Sequence, residues 1–511
     1  MPTLILDGNS LTIDGVERYL ADPTVRLAIS KDALERVRAS NEYLKELVRT
    51  HKPIYGLTTG FGRLSDIAID PHEVRRLQVN LVRSHACAVG DPLDPDEVRA
   101  AMLILANALC RGYSGVSPSV LKTILKMLEK QVIPRVPQQG SVGASGDLAP
   151  LAHIALALIG EGEVLYDHNV MPAAEALKKA GIKPARLSEK DGLALVNGTH
   201  VMTAIGAINC IHARNLVEHS DIAAAMTLEG LRGSPAPYHE IIHRQRPHPG
   251  QRSTARNLRK LLAGSQIVVS HRDCKKVQDA YSLRCVPQVH GAVKDTYNHA
   301  ARIIKTEINS STDNPLVFPK DKMIISGGNF HGQPVSFAMD FLGIASATLG
   351  TISERRTEHM VNPDLSGLPP FLVEQSGLNS GLMMAQVVAA SLASENKILS
   401  HPASVDTIPT SANREDHVSM GMTAARKCRA ILHNLESILA IEFIAAAQAV
   451  EFVRPLLSSR AIEAAHAIVR AHVGRITADR VFGKDIELLS RVIRSGAILH
   501  AVEAVAGKLV V

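Results

Sequence analysis

The chain has 511 residues, a formal net charge of +6, 46% apolar and 21% charged residues, the balance of a globular protein long enough for two or three domain-sized units. No Lys/Arg run interleaves with aromatics, and nowhere do some 18 apolar residues follow one another, so neither a nucleic-acid partner nor a membrane span is expected. Aromatics make up only 3% and Trp is absent, which leaves a core of Ala, Leu, Ile, Val and Met, a composition that favours helix.

The N-terminus, MPTLILDGNSLTIDGVERYL, has neither the basic nor the apolar region of a signal peptide. Residues 1–200 are rich in Gly, Pro and short apolar runs and hold three loop-like clusters: YGLTTGFGRLSD (55–66), RSHACAVGDPLDPDE (83–97) and VPQQGSVGASGDLAP (136–150). Glycine at this density marks tight turns or close backbone approach. From 201 to 511 the pattern becomes long and helical. Val335, Ala338, Leu342, Ala345, Leu349 and Ile352 share one helix face, a second stretch covers about 381–399, and Leu432, Leu435, Leu439, Phe443, Ala446, Val450 and Val453 form a third before Pro455 stops it. Most of these apolar residues read as core. The expected fold is all-α, a long central helical bundle (201–511) with a loop-rich N-terminal part (1–200). The six cysteines, at 87, 110, 210, 274, 285 and 428, form no CxxC pair and read as reduced thiols of a cytoplasmic protein. No HExxH, no regular His/Asp spacing, no GxxxxGK(S/T) loop and no strand-flanked GxGxxG occurs, so neither a metal nor a nucleotide is expected.

The segment Gly140-Ser141-Val142-Gly143-Ala144-Ser145-Gly146-Asp147 precedes an apolar run. Asp147 is placed to cap the helix that starts there, with Pro150 in its first turn. By itself this is a glycine-rich turn aimed at a helix N-terminus. The alternative is chemical. Attack of the Gly146 amide nitrogen on the Ala144 carbonyl carbon, with loss of water, closes an imidazolone; loss of the Ser145 hydroxyl as a second water leaves an exocyclic methylidene, a strong carbon electrophile.

The stretch GSVGASGDLAPLAHIALALIGEGEV resembles the cofactor-forming segment of the aromatic amino-acid ammonia-lyase and aminomutase family. The likeness continues in order through YGLTTGFG (55–62), NLVRSHA (80–86), GLALVNGTH (192–200), QDAYSLRCVPQV (278–289), NSSTDNPLVF (309–318), GGNFHGQP (327–334), LPPFL (368–372) and SANREDHVSM (411–420). The resemblance implies a 4-methylidene-imidazol-5-one made from Ala144, Ser145 and Gly146, with no external cofactor. It assigns Tyr55 as the enzymic base, Tyr281 a place beside the cofactor, Gln278 a polar contact, Arg284 a two-pronged grip on the substrate carboxylate, and Asn197 a hydrogen bond to the imidazolone oxygen. Asn329 and Phe330 match the pattern near the cofactor, and Asn309, Asp313 and Asn314 are weaker candidates, since NSSTDNP also reads as an Asx-turn before proline. If residues 278–289 are helical, Tyr281 and Arg284 share a face.

For the substrate ring, Ser84-His85 and Glu415 match the histidine-specific members. A carboxylate can bind an imidazole N–H but gains nothing beside a phenyl ring. The expected reaction is L-histidine to urocanate and ammonia; tyrosine or phenylalanine ammonia-lyase, or 2,3-aminomutase, is the alternative. Thr58 and Arg414 depart from the histidine-specific pattern, an Arg414–Glu415 pair would alter ring preference, and His200 after NGT is a further position whose effect the resemblance leaves open. The resemblance further implies a small amino-acid substrate and a homotetramer with shared active sites. A non-catalytic scaffold would have lost Tyr55, Ser145 or Arg284, all present; a fumarase-like bundle would need a GSSxxMPxKxN loop, which is absent.

Overall fold

The computed structural model describes residues 2–49, 54–70, 72–273 and 276–511; Cys274 lies outside them. The fold is all-α as expected, 59% helix and 8% strand. The chain divides into two compact units, one of residues 1–208, 301–340 and 402–426, the other of residues 209–300, 341–401 and 427–511.

The first unit carries all the strands of the described residues, in four small sheets. Thr3–Leu6 pairs in parallel with Arg26–Ile29, and the other three sheets are antiparallel. Three of its helices, Val74–His85, Leu148–Leu158 and Asp191–Val196, pack against one another. Their ends deliver His85 as a last residue, Ser145 just before a first turn, and Asn197 as a C-cap. The buried side chain of Gln78 ties this packing to the first glycine-rich loop. Its amide nitrogen donates to the Gly56 carbonyl at 3.1 Å, and its oxygen accepts from the Leu193 amide at 2.9 Å.

The helical faces predicted from spacing are found. All seven apolar positions predicted between Leu432 and Val453 are buried, and along Gln333–Val361 every expected residue is buried except the half-buried Ala345. Gln333–Val361 and Gly421–Glu451 are also long and apolar enough to cross a membrane by length and composition, a test that buried core helices pass too; 67% and 78% of their apolar windows are buried within the protein. Helix Met383–Leu399 departs from the core reading, since Met384, Val387, Val388 and Ile398 are exposed.

Both units bury ionisable side chains. In the second, the Glu442 carboxylate accepts from Arg356 Nε (2.5 Å) and Nη2 (2.8 Å), from Thr227 Oγ1 (2.8 Å) and from Ser353 Oγ (2.5 Å). Both ionic side chains are fully buried. Removing one partner strands the other charge in the interior, so Arg356→Met should lower unfolding stability by about 3–5 kcal/mol, measured by chemical denaturation; a loss under ~1 kcal/mol would show that Glu442 finds another way to be neutralised. In the first unit, His200 opens helix His200–Gly230 fully buried, with Nδ1 lacking a partner among the described residues. Burial pushes its pKa down to about 4. Below the ordinary value of 6.5 the unfolded chain takes up a proton that the folded chain refuses, so stability falls as pH drops from 6.5 to about 4. His200→Gln should flatten that decline by roughly 1.4 kcal/mol per pH unit; unfolding curves for variant and parent that run parallel between pH 6.5 and 4 would place the acid lability elsewhere.

Candidate active site

The turn at 140–147 is shaped by glycines that nothing else could replace. Gly146 has φ +73°, and a Cβ there would lie 2.0 Å from the Gly198 carbonyl oxygen; at Gly143, φ +71°, it would lie 2.2 Å from Ser419 Oγ. The close approach is hydrogen-bonded: the Asp147 amide donates to Gly198 O (2.8 Å) and the Gly198 amide to Ser145 O (3.2 Å). On the other side, Gly143 O accepts from the Gly332 amide (3.2 Å) and Ser419 Oγ (3.0 Å), and Val142 O from the Met420 amide (2.8 Å). Three segments far apart in sequence thus clamp the Ala-Ser-Gly turn.

Asp147 occupies the N-cap position of Leu148–Leu158 but makes no side-chain cap there. Its carboxylate accepts instead from the Val201 (3.0 Å) and Met202 (2.7 Å) amides, capping the helix that starts at His200, and from Ser141 Oγ at 2.9 Å. The carboxylate reaches across the Gly146–Gly198 contact to free amides that burial would otherwise leave unpaired. Burial pushes its pKa up to about 6, against the lowering effect of the Met202, Ser141 and Val201 hydrogen bonds.

Ser145 opens onto a cavity of about 800 Å³ whose lining includes Tyr55, Ser84, His85, Asn197, Phe330 and Glu415. Ala144 and Gly146 are buried beneath it. Tyr55 Oη accepts the Gly62 amide at 3.1 Å, and its ring meets Phe61 edge to face. Glu415 and Thr410 are joined by an antiparallel bridge; Glu415 Oε2 accepts from Thr410 Oγ1 at 2.5 Å and Oε1 from Ser145 Oγ at 3.3 Å. His85 Nδ1 lies 2.9 Å from the Leu81 carbonyl oxygen. That oxygen can only accept, so Nδ1 carries the proton and Nε2 is left as an acceptor. Burial holds the His85 pKa below the usual histidine value, against the Leu81 hydrogen bond and the Glu415 charge, and keeps the ring neutral.

Not every expected residue lines this cavity. Asn329 borders a separate one, beside Arg111 and Tyr113, and donates to Ser311 O at 3.2 Å. Gln278, Tyr281 and Arg284 belong to the second unit. Tyr281 is 71% exposed and Gln278 is exposed; the Arg284 guanidinium sits 4.7 Å from the Tyr281 ring centroid, the shared face expected of a short helix. Asn309 bonds to Leu11 and Asn107, and Asp313 lies behind Asn197, whereas Asn314 does line the cavity beside Asn197. The two departures, and His200, act away from the cavity. Thr58 Oγ1 accepts the Ile54 amide within its own loop (2.9 Å), Arg414 pairs with Asp66 at 3.9 Å rather than with Glu415, and His200 is buried behind Gly198. Sequence reasoning missed Thr410 and Lys190. Thr410 had no periodic signal because it reaches Glu415 through an irregular loop, and nothing in a lone lysine before a short helix marks it as buried. No group of three or more metal-ligating side chains occurs among the described residues.

Known proteins resemble this chain over nearly its whole length. The profile of the family described as aromatic amino acid lyase matches residues 11–471. The chain is 50% identical over 503 residues to the histidine ammonia-lyase of Myxococcus xanthus, covering 98% of this chain and 99% of that protein. It is 51% identical to the histidine ammonia-lyase of Koribacter versatilis, with coverages of 98% and 99%. Among solved structures, histidine ammonia-lyase from Trypanosoma cruzi superposes with a TM-score of 0.92 at 41% identity, covering 99% of this chain and 95% of that one. Tyrosine aminomutase from Streptomyces globisporus superposes with a TM-score of 0.93 at 39% identity, covering 99% of both. A matching profile over most of the length, and relatives half identical from end to end, establish that the chain belongs to the aromatic amino acid lyase family.

Proposed function

We propose that this carbon–nitrogen lyase eliminates ammonia from L-histidine to give urocanate, using a 4-methylidene-imidazol-5-one formed from Ala144, Ser145 and Gly146 and no external cofactor. The observation that carries the substrate is the pair of acceptors beside Ser145, Nε2 of neutral His85 and the carboxylate of Glu415. A neutral imidazole brings one N–H donor to this pair of acceptors and a phenyl ring brings none, so a phenyl ring would leave His85 Nε2 desolvated without a donor. The histidine ammonia-lyase relatives support the same choice.

The turn fits the proposed electrophile. The backbone contact at Gly146 admits only glycine, and the Ser145 hydroxyl faces the cavity on the Glu415 carboxylate. The group supplies a carbon electrophile for a reaction that must break a poor leaving-group bond next to a scarcely acidic β-carbon. Around it, Tyr55 Oη takes the β-proton, its oxygen fixed by the Gly62 amide and its ring by Phe61. His85 and Glu415 orient the ring, and Phe330 forms an apolar wall.

Arg284 grips the substrate carboxylate, with Tyr281 and Gln278 beside it, from another copy of the chain in a homotetramer. The exposure of Tyr281 and Gln278, and the apolar surface of helix Met383–Leu399, support such an assembly. Its setting is cytoplasmic. The five cysteines of the described residues are free thiols, and burial pushes Cys110 and Cys210 up to about 12, a weakly reactive state.

The purified protein incubated separately with L-histidine, L-tyrosine and L-phenylalanine should deaminate histidine fastest, by up to roughly four or five orders of magnitude over phenylalanine. Glu415→Gln should lower kcat for histidine more than it raises KM if the carboxylate handles a proton, and mainly raise KM if it only holds the ring. Faster turnover of tyrosine or phenylalanine, or a β-amino acid as main product, would overturn the histidine assignment. Peptide mass analysis should find the segment containing Ala144-Ser145-Gly146 lighter by two waters in the parent. Ser145→Ala should fold yet lose turnover by orders of magnitude, and Tyr55→Phe should do the same with its loop mass unchanged from the parent. A fully active protein with an unmodified tripeptide, or a Tyr55→Phe variant of near-normal rate, would sink the electrophile or the base respectively.

A further inference from the structure

Lys190 and Asn197 flank the six-residue helix Asp191–Val196. Seven positions make about two turns, so both lie on the same side of it. Asp313 spans the two. One carboxylate oxygen, Oδ2, takes the Lys190 ammonium; the other, Oδ1, accepts from Asn197 Nδ2 at 3.2 Å and from the Asn314 amide at 2.6 Å. The second hydrogen of the Asn197 amide goes to the Asn314 carbonyl oxygen at 3.2 Å. The Lys190 side chain is 0% exposed and that of Asp313 4%.

These contacts decide which end of the Asn197 amide meets the cavity. A carboxylate and a backbone carbonyl can only accept, so the atom facing them must be the NH₂ group and both its hydrogens are taken. Oδ1 receives no hydrogen bond from the described residues, and Asn197 lines the cavity next to Ser145. What it offers there is an acceptor, which corrects the expected hydrogen bond from Asn197 to the imidazolone oxygen, since both of its amide hydrogens are directed to Asp313 and Asn314. A buried lysine is expensive to keep charged unless paired, and its pairing here fixes the one carboxylate that fixes this amide.

We propose that Lys190 and Asp313 are positioning residues for the lyase reaction: their buried pair locks Asn197 with its carbonyl oxygen turned into the cavity, as the acceptor for the α-ammonium group of the bound amino acid. The inference rests on the reading of the site as an amino-acid lyase. It goes beyond that reading in assigning the amine its acceptor and in naming two residues that touch no substrate. His85 and Glu415 serve the ring, whereas Asn197 Oδ1 lies beside Ser145, where the carbon–nitrogen bond must break.

The test compares each amino acid with its deamino analogue, L-histidine with 3-(imidazol-4-yl)propanoate and L-phenylalanine with 3-phenylpropanoate, by calorimetric titration in a Ser145→Ala background that does not turn over. Asp313→Asn keeps the shape but leaves one acceptor oxygen where two are needed. It should reduce the preference for the amine-bearing ligand by about tenfold, while the deamino analogue binds within about twofold of the parent. Lys190→Met should do the same, and Lys190→Arg, which keeps the charge, should restore the preference to within about threefold. Should Lys190→Met fail to fold, the near-isosteric Asp313→Asn decides. Equal weakening of both ligands would reduce the pair to a structural tie, and an unchanged preference would remove Asn197 as the amine acceptor; either overturns the proposal. A parent that binds and turns over phenylalanine better than histidine would instead overturn the histidine reading, leaving the amino-to-deamino ratio to be read on the phenyl pair.

Discussion

The site depends on one steric fact: the backbones at Gly146 and Gly198 touch. With 2.0 Å between a hypothetical Cβ at 146 and the Gly198 carbonyl oxygen, no side chain fits without pushing the two segments apart. While they touch, the Asp147 and Gly198 amides find carbonyl partners across the contact, and the Asp147 carboxylate reaches the free amides of the helix starting at His200. Asn197 and Ser145 are therefore neighbours in space because their flanking glycines are. Ser419, Met420 and Gly332 close the turn from the opposite side, so the Ala-Ser-Gly geometry is over-determined.

The second organising feature is electrostatic. The cavity wall offers three acceptors close to the Ala-Ser-Gly turn: Glu415, His85 Nε2 and Asn197 Oδ1. Each is an acceptor for a different local reason. Glu415 is held by hydroxyl donors from Thr410 and Ser145. His85 is kept neutral by burial, with its proton on the nitrogen that faces Leu81. Asn197 has spent both amide hydrogens on Asp313 and Asn314. A ligand rich in N–H groups satisfies such a wall, and an apolar one leaves it desolvated.

The second unit obeys the same rule on a larger scale. Its Arg356–Glu442 pair is fully buried and saturated by hydroxyl donors, and a linked group joins Asp221 to Lys294 and His290. Buried charges of this kind add little net stability compared with apolar packing, but losing either partner is costly. Helix Met383–Leu399 shows the converse, an amphipathic pattern that looks like core in sequence yet presents apolar side chains at the surface. Periodicity reports that a face is apolar and is silent about what covers it.

By itself the sequence determined the helical class, the faces of the long helices, and the residues able to do the chemistry, because these follow from periodicity, propensity and an ordered set of short motifs. Glycines at 143 and 146 were legible as a tight turn for the same reason: only glycine tolerates that backbone. Tertiary structure alone decided which groups meet. Asp147 stands where a cap for its own helix belongs, yet it caps another, since the free amides of that helix lie within reach across the glycine contact. Arg414 stands next to Glu415 in sequence but pairs with Asp66, because adjacent side chains in an irregular loop point apart. Lys190 looked like any surface lysine, and the Asp313 carboxylate that takes its ammonium comes from a segment more than a hundred residues away. Local sequence encodes what a residue can donate or accept; the partner is set by long-range packing, which leaves no local mark.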